Sequence, residues 1–284
     1  MNAAPAVAPD GTIYVISRTH FNAYWGYLTA VNADLTPKWS VSLRNRFHDG
    51  CGVLLPPNGS SGGCRSGTTI GVDPADNLPG SGIILDNSSA SPVVAPDGSI
   101  LYGAYNTYND EQGHLMHFDS QGAFLGAYGF GWDTTPAIYP HDGSYSIIEK
   151  ENHYGGVVHP PEYFITQLDP ALNVEWQLRN TNTEACGRDS QGSIVCVPTQ
   201  PGFEWCVNAP AVDAEGTVYA NSEDGNIYAI GQGGIIRQTL FLQLALGAGY
   251  TPVAIGPDGR VYAQNAGHLF VIGGLPHRRA VSHN

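Results

Sequence analysis

Aspartate and glutamate are the residues of this chain best suited to catalysis, because a pair of carboxyl groups can serve as general acid and general base. Asp133, Glu204 and Glu223 lie near the predicted ends of strands that would face the interior of the molecule. The chain contains no GxSxG nucleophile motif, no phosphate-binding loop and no dinucleotide-binding fingerprint. If the chain is an enzyme, these three acids are therefore the residues we expect to carry the reaction.

Histidines are numerous, but their spacing does not predict a metal site. His114 and His117 are three residues apart on a predicted strand, so their side chains point to opposite faces and cannot bind one ion together. His153 shares a predicted loop with Glu149 and Glu151, and we interpret that loop as solvated. The sequence predicts no metal site and no cofactor, with a divalent cation such as calcium left open at this loop.

The cysteine pattern favours disulfides over metal binding or redox chemistry. None of the five cysteines, Cys51, Cys64, Cys186, Cys196 and Cys206, forms a CxxC pair. Bridges such as Cys51–Cys64 and Cys186–Cys196 would each close a short loop, which stabilises a fold by about 2–3 kcal/mol. Cys206 would then be left over, unless it pairs with Cys51 or Cys64. Disulfides predict an extracellular or periplasmic location, although the chain shows no signal peptide.

The composition excludes several kinds of partner. The formal net charge is −13, which repels phosphate backbones and argues against nucleic-acid binding. No run of about 18 apolar residues is present, so we expect no membrane insertion. The chain starts directly at a predicted strand. We therefore expect either a removed leader or a fragment of a larger protein.

A repeated phrase gives the architecture that must position these residues. A proline and a short apolar run precede an Asp-Gly or Glu-Gly pair, and a second apolar run then ends in tyrosine. Asp-Gly between two apolar runs is a strong hairpin signal, because glycine readily takes the positive φ that the turn needs. The five copies span 5–14, 92–102, 136–145, 210–219 and 252–262.

Two further apolar runs follow most copies, so each repeat predicts four antiparallel strands. The copies begin 87, 44, 74 and 42 residues apart, and the 44 and 42 spacings match one propeller blade. We therefore predict an all-β fold, a single β-propeller domain over 1–284, with five clear blades and one degenerate blade. The predicted blades are 1–43, 46–86 (degenerate), 88–130, 132–180, 205–243 and 248–284, with a disulfide-stapled insertion at 181–204.

The phrase from Pro92 to Tyr102, together with Leu-Thr-Ala-Val-Asn-Ala-Asp at 28–34 and Lys-Trp-Ser at 38–40, resembles the PQQ-like (quinoprotein-like) propeller repeat family. This resemblance implies the propeller fold. Quinone-dependent members have eight blades and adjacent cysteines that form a disulfide. This chain has five or six predicted blades and no adjacent cysteines, so PQQ is not expected.

The predicted long connections all fall on one face of the propeller, and such loops commonly carry function. That face is rich in aromatic, amide and carboxylate groups, which suit a glycan or another small polar ligand. We predict a binding module for such a ligand or for a protein, and keep two alternatives: an enzyme at the central channel (hydrolase, lyase or quinone-type oxidoreductase), or a fragment of a larger propeller. The predicted binding residues are Trp25, Asn106, Trp132, Asp133, His153, Glu204, Trp205, Asn208, Glu223, Asp224, Tyr250 and Asn265.

Overall fold

The computed structural model describes residues 3–18, 26–43, 84–85, 90–106, 113–129, 133–153, 161–199, 202–243, 251–265 and 267–273. All regular secondary structure in these ranges is β-strand. The strands form separate antiparallel sheets, and apart from one short strand, Ile84–Leu85, strands adjacent in sequence within a sheet are adjacent in space. We call the five main sheets units I to V.

Unit I shows why these sequences form half-buried strands. Along its third strand, buried residues alternate with half-buried ones, so Leu28 and Ala30 point inward on the same face. The sheet order follows the sequence order. Its strands are β1 (Ala6–Val7), β2 (Ile13–Arg18), β3 (Gly26–Val31) and β4 (Pro37–Ser42).

Units II and III repeat this pattern. In unit II two short strands both pair with the long strand β7. Unit II comprises β5 (Ile84–Leu85), β6 (Val93–Val94), β7 (Ile100–Asn106), β8 (Gly113–Phe118) and β9 (Phe124–Tyr128). Unit III comprises β10 (Ala137–His141), β11 (Ser144–His153), β12 (Glu162–Leu168) and β13 (Val174–Arg179).

A two-stranded hairpin separates unit III from the last two units. The hairpin consists of β14 (Glu184–Arg188) and β15 (Ile194–Pro198). Unit IV comprises β16 (Ala211–Val212), β17 (Val218–Asn221), β18 (Asn226–Gly231) and β19 (Ile235–Phe241). In unit V the described strands are β20 (Val253–Ile255), β21 (Val261–Asn265) and β22 (His268–Ile272). The prediction of an all-β chain with several four-stranded antiparallel units is confirmed.

The predicted Asp-Gly and Glu-Gly hairpins join the first two strands of units I, III, IV and V, and they join β6 to β7 in unit II. Between β6 and β7, the backbone N–H of Gly98 donates to Ala95 O at 2.9 Å, and Gly98 has a φ of 85°. The carboxylate of Asp97 accepts the Ser99 N–H at 2.9 Å, which closes the turn. The Asp-Gly turn thus helps to set the register in which β6 pairs with β7.

The hydrophobic core lies in the seams between units. Leu28 of unit I and Tyr102 of unit II belong to one buried cluster, and Leu115 of unit II and Ile147 of unit III belong to another. A third cluster contains residues of units III, IV and V. The predicted degenerate blade at 46–86 lies outside the described residues apart from β5, and so does the part of the predicted last blade from 274 to 284.

The segment between units III and IV contains regular structure that the sequence analysis did not predict. Cys186 and Cys196 stand directly opposite each other in the hairpin and form a disulfide, with their Cα atoms 4.0 Å apart. This was one of the two bridges suggested by spacing; Cys51 and Cys64 lie outside the described residues. The disulfide stabilises a ribbon whose second strand is exposed along its whole length.

We expect the packing of unit IV against unit III to depend on Gly216. A Cβ at Gly216 would lie 2.7 Å from Cζ of Tyr139 in β10, whereas a Cβ at Gly98 would meet nothing within 4 Å. Both glycines have positive φ, so Gly98→Ala is a matched control that costs about 1–2 kcal/mol. Gly216→Ala should cost about 1–3 kcal/mol more, because the added methyl overpacks the seam. Urea unfolding of the two variants tests this, and equal losses would contradict it.

Candidate functional site

The candidate site lies where the units are joined to one another, at the end of the sheets opposite the Asp-Gly turns. We call this the loop end. The segment 202–210 runs across it without forming a regular strand, apart from a parallel bridge between Val207 and Thr251. Backbone bonds from Asn208 N to Thr251 O (3.1 Å) and from Val253 N to Ala209 O (2.9 Å) attach it to unit V.

Lys150 and Asp133 form the buried floor of this end, and half-buried Asn208 lies beside them. The Lys150 ammonium donates to the backbone carbonyl of Asp133 at 3.0 Å, and Asn208 Nδ2 donates to the same carbonyl at 3.2 Å. Asp133 has a left-handed backbone, with a φ of 53°, which is uncommon for a residue other than glycine. Uncommon backbone geometry of this kind is often found at functional sites.

Burial changes the acid–base behaviour of Lys150. Removal from water lowers the pKa of this lysine to about 8, and the nearby carboxylates of Asp133 and Glu204 limit the drop. Near neutral pH the side chain therefore carries its charge but gives up its proton far more readily than a surface lysine. A group with this property can serve as a buried cation or as a base.

Glu204 and Glu223 are the acidic groups that solvent can reach here, since both are half-buried. Asn152, on the same strand as Lys150, donates through Nδ2 to Glu204 Oε1 at 3.2 Å and to Trp205 O at 3.3 Å. The N–H of Glu223 donates to Glu204 O at 3.0 Å, so the backbones of the two acids are joined. The loop end therefore presents two half-buried carboxylates, of which that of Glu204 lies close enough to the buried Lys150 to affect its pKa.

Cys206 lies below these carboxylates as a buried thiol. Burial raises its pKa, and the charges of Glu223 and Glu204 raise it further. A thiol with a raised pKa is a poor nucleophile. Cys206 therefore contributes shape rather than reactivity to the loop end.

Trp205 and Asp224 support the site from within the core. The Trp205 ring is buried, packs edge-on against Tyr228 at 5.1 Å, and its indole N–H donates to Tyr163 O at 3.2 Å. Asp224 is fully buried and accepts hydrogen bonds from Asn182 Nδ2 at 2.9 Å and from the Tyr228 hydroxyl. Neither side chain presents a surface to a ligand in this arrangement.

His153 belongs to a second polar cluster, on the opposite face of β11. Its Nε2 lies 2.7 Å from Glu151 Oε1, and Glu151 Oε2 accepts from Tyr128 at 3.0 Å, from Thr166 at 2.5 Å and from Gln177 at 2.8 Å. The interpretation of this stretch as a solvated loop was wrong. β11 continues to His153, and its charged side chains are buried because residues from β9, β12 and β13 satisfy Glu151.

Glu149, in the same cluster, is fully buried, and neither carboxylate oxygen has a hydrogen-bond partner in the described part of the chain. Desolvation raises its pKa well above the ordinary value, and the charge of Glu151 adds to the shift. Glu151 behaves in the opposite way, because its hydrogen bonds to His153 and Thr166 outweigh burial and lower its pKa. Two neighbouring acids of one strand thus favour different protonation states.

The structure brings together part of the predicted site. Asp133, Glu204, Asn208 and Glu223 meet at the loop end with Trp205 and Asp224 beneath them. Asn265 is buried between units IV and V. Asn106 ends β7, but its side chain lies outside what the structure describes. Three further predicted residues, Trp25, Trp132 and Tyr250, lie entirely outside the described residues.

Sequence reasoning missed Lys150 and Asn152 as members of the site. Both lie on one face of β11 and alternate with Glu149, Glu151 and His153 on the other. Ile147 and Ile148 point to opposite faces of β11 and belong to two different buried clusters. The same alternation continues through the charged residues that follow them. This alternation could have indicated from the sequence that the strand extends to His153.

Among the described residues, side chains able to bind a metal ion come close together in a single group. The one close group there combines Glu184 with Cys186 and Cys196, whose sulfurs are joined in the disulfide and are not thiolate ligands. Nor do the described residues form a helix that is long and apolar enough to cross a membrane.

Comparisons with known proteins place the chain beside solved propeller structures at low similarity. The Dos1 propeller is 13% identical with a TM-score of 0.45, and the match covers 91% of this chain and 54% of that one. A gluconolactonase from Xanthomonas campestris is 11% identical (TM-score 0.42, covering 94% and 70%), and BamB from Moraxella catarrhalis is 16% identical (TM-score 0.35, covering 97% and 83%). The chain thus spans about half the length of the Dos1 propeller chain.

No family model and no curated protein matches the sequence. The resemblance to PQQ-like repeats accordingly stays a prediction.

The two acids of β11 should affect stability with opposite signs. Glu149 has a raised pKa in the folded protein, so its contribution becomes less favourable as the pH rises above about 4.5. Glu149→Gln should therefore raise the melting temperature at pH 8 and leave it nearly unchanged at pH 4.

Glu151→Gln is the matched variant. Because the pKa of Glu151 is lowered in the folded protein, the ionised carboxylate stabilises the fold at any pH above the ordinary pKa of a glutamate. That stabilisation is lost as the pH falls. The amide would also face the donors of Gln177 and Thr166, at a cost of about 1–3 kcal/mol at pH 8. Calorimetry from pH 4 to pH 8 measures both effects, and the same sign for both variants at pH 8 would refute this assignment.

Proposed function

We propose that this chain is a β-propeller whose loop end binds a small polar organic ligand. The observation that carries the proposal is the meeting of Asp133, Lys150, Glu204 and Asn208. These residues come from three stretches of sequence and are linked by hydrogen bonds to one another or through Asn152. Convergent polar groups at the end of a rigid β scaffold are typical of a binding site.

Ring closure is part of the proposal. Each unit buries an apolar face against a neighbour: β1 lies beside β6, β10 beside β16, and β16 beside β20. Sheets that pack side by side through their first strands, with no core of their own, stack in a circle in propellers. We propose five or six blades, with the degenerate one at 46–86, and a relationship to the PQQ-like repeat family.

The accessible groups indicate the chemistry of the ligand. Glu204 and Glu223 can accept hydrogen bonds from a ligand, the side chain of Asn208 is an amide, and Lys150 is a buried cation close to Glu204. Hydroxyl groups of a glycan or another polyhydroxylated molecule match this set of donors and acceptors. A protein partner presenting such groups is the alternative occupant.

We propose an extracellular or periplasmic location. The support is the disulfide between Cys186 and Cys196, which lies in an exposed hairpin with little apolar packing of its own. Exposed disulfides persist where the surroundings are oxidising.

Calorimetric titration with a panel of neutral sugars, sugar acids and amino sugars tests the binding function. For any ligand that binds, Glu204→Gln and Glu223→Gln should each weaken binding about tenfold, the effect of losing a hydrogen bond of about 1.4 kcal/mol. Glu215→Gln is the control, since Glu215 is exposed in the turn at the opposite end of unit IV. Equal effects of all three substitutions, or no binding by the unaltered chain, would contradict the proposal.

An enzymatic role is the second candidate, and the observation that favours it is the lowered pKa of Lys150, about 8, beside carboxylates. If Lys150 acts as the base, turnover of chromogenic glycosides or of lactones should rise with pH through a midpoint near 8. Lys150→Met should abolish that turnover, while Lys38→Met, at an exposed ion pair, should not. Turnover in Lys150→Met equal to that of the unaltered chain would exclude this role.

A further inference from the structure

The hairpin of β14 and β15 has one strand against the rest of the molecule and one strand in solvent. Residues 185–187 of β14 are half-buried. Every residue of β15 is exposed, and Ile194, Val195 and Val197 keep 50%, 52% and 56% of their surface accessible. An exposed outer strand that carries apolar side chains is a place where another strand can pair.

Two contacts hold this hairpin in a defined position. The disulfide between Cys186 and Cys196 joins its two strands at their centre. The guanidinium of Arg188, at the end of β14, lies 5.5 Å from the centroid of the Phe241 ring in β19. The exposed edge of β15 is therefore presented on a support that is already ordered.

The hydrogen bonds at the two ends of the hairpin show which backbone groups of β15 face outward. Asp189 N–H donates to Ser193 O at 2.9 Å at one end, and Thr199 N–H donates to Thr183 O at 2.8 Å at the other. Hydrogen-bonded pairs alternate with non-hydrogen-bonded pairs along an antiparallel ladder. The odd-numbered residues of β15 are therefore bonded to β14, and the even-numbered residues direct their backbone groups away from it.

The outward backbone groups of β15 have no strand beside them within the part of the chain that the structure describes. They are the N–H and C=O groups of Ile194 and Cys196, together with the C=O of Pro198, which as a proline has no N–H. Free donors and acceptors along an ordered edge can bind a further extended strand by continuing the ladder. Pro198 limits that ladder to a short one.

We propose that the free edge of β15 pairs antiparallel with β15 of a second copy of this chain. The register that pairs all five residues of the strand is centred on Cys196. In that register each Cys196 N–H donates to the Cys196 carbonyl of the other copy, and each Ile194 N–H donates to the Pro198 carbonyl of the other copy. Val195 lies opposite Val197 of the second copy, and cross-strand pairs of β-branched side chains stabilise a sheet.

The charge and the order of residues along the edge favour a second copy as its occupant. All residues from Ser193 to Thr199 are uncharged, so the pairing brings no like charges face to face although each copy has a formal net charge of −13. Salt screens the remaining charges beyond about 8 Å at physiological ionic strength. The edge is also self-complementary, because Pro198, which cannot donate, falls at the end of the ladder opposite Ile194.

The pairing joins two hairpins into one four-stranded sheet, which is more stable than an isolated two-stranded ribbon. The contact is small compared with the total of about 1,200–2,000 Å² that stable complexes bury. The dimer is therefore weak and forms at high protein concentration. This inference does not depend on the binding function proposed for the loop end.

Sedimentation velocity of the unaltered chain from about 10 µM to about 1 mM, a range that covers weak complexes, should show monomer giving way to dimer. Val195→Lys should weaken dimerisation at least about tenfold, because a charge on an edge strand opposes pairing. Leu35→Lys is the control, since Leu35 is 70% exposed in the turn between β3 and β4, and it should dimerise normally. A monomer over the whole range, or equal effects of the two substitutions, would overturn the proposal.

A mixture of two variants tests the register. Val197→Glu should also weaken dimerisation on its own. Mixed with Val195→Lys in equal amounts, it should form a heterodimer, because the introduced lysine and glutamate then lie opposite each other. A mixture that associates no better than the separate variants would contradict the pairing of position 195 with position 197. Both positions are exposed, so the melting temperatures of the variants should equal that of the unaltered chain.

Amide hydrogen exchange measured by NMR locates the contact. The amides of Ile194 and Cys196 should exchange more slowly as the protein concentration rises, because only the dimer gives them acceptors. The amides of Val195 and Val197 are already bonded to β14 and should show no such dependence. A dimer that leaves the exchange of Ile194 and Cys196 unchanged would lie elsewhere on the molecule and would overturn the proposal.

Discussion

A single four-stranded antiparallel sheet of this length cannot bury both of its faces, and this constraint governs the whole chain. Each unit is stable only when its apolar side chains lie against those of a neighbour, as Leu115 of unit II does with Ile147 of unit III. Because side chains along a strand alternate between faces, neighbouring residues serve different seams. Ile147 packs toward unit II and Ile148 toward units IV and V. The seams therefore fix which side chains of these strands face each neighbour.

The same alternation distributes the charges of β11. Beyond Ile148, the strand carries Lys150 and Asn152 on the face that leads to Glu204, while Glu149 and Glu151 lie on the face toward unit II. One short run of charged residues thus supplies two separate polar clusters. A charged side chain can be buried at this depth only where other segments provide partners. Glu151 has such partners and is ionised easily, whereas Glu149 has none among the described residues and resists ionisation.

The sequence alone predicted the repeated hairpin strands, but it did not predict the environment at the ends of those strands. The Pro-to-Tyr phrase predicts the hairpins correctly, because apolar alternation and an Asp-Gly turn are local properties. Glu149 to His153 was assigned to a solvated loop, because charges close together usually face water. Their partners, such as Gln177 for Glu151 and Glu204 for Asn152, lie 26 and 52 residues away in sequence. Long-range pairing of this kind leaves no local pattern. By contrast, Asp133, Glu204 and Glu223 were predicted from their positions at strand ends, and the structure places all three at the loop end.

The hairpin between units III and IV explains how an irregular segment can hold a site. Asn180 Nδ2 donates to Ser222 Oγ at 2.8 Å before the hairpin begins, and Asn182 Nδ2 donates to Asp224 Oδ2 at 2.9 Å. After the hairpin, Trp205 anchors the returning chain in the core. The segment 202–210 is therefore fixed at both ends although it forms no strand ladder. Glu204 and Asn208, both half-buried, are therefore held as firmly as side chains on a sheet. A binding site requires side chains that are held in place in this way.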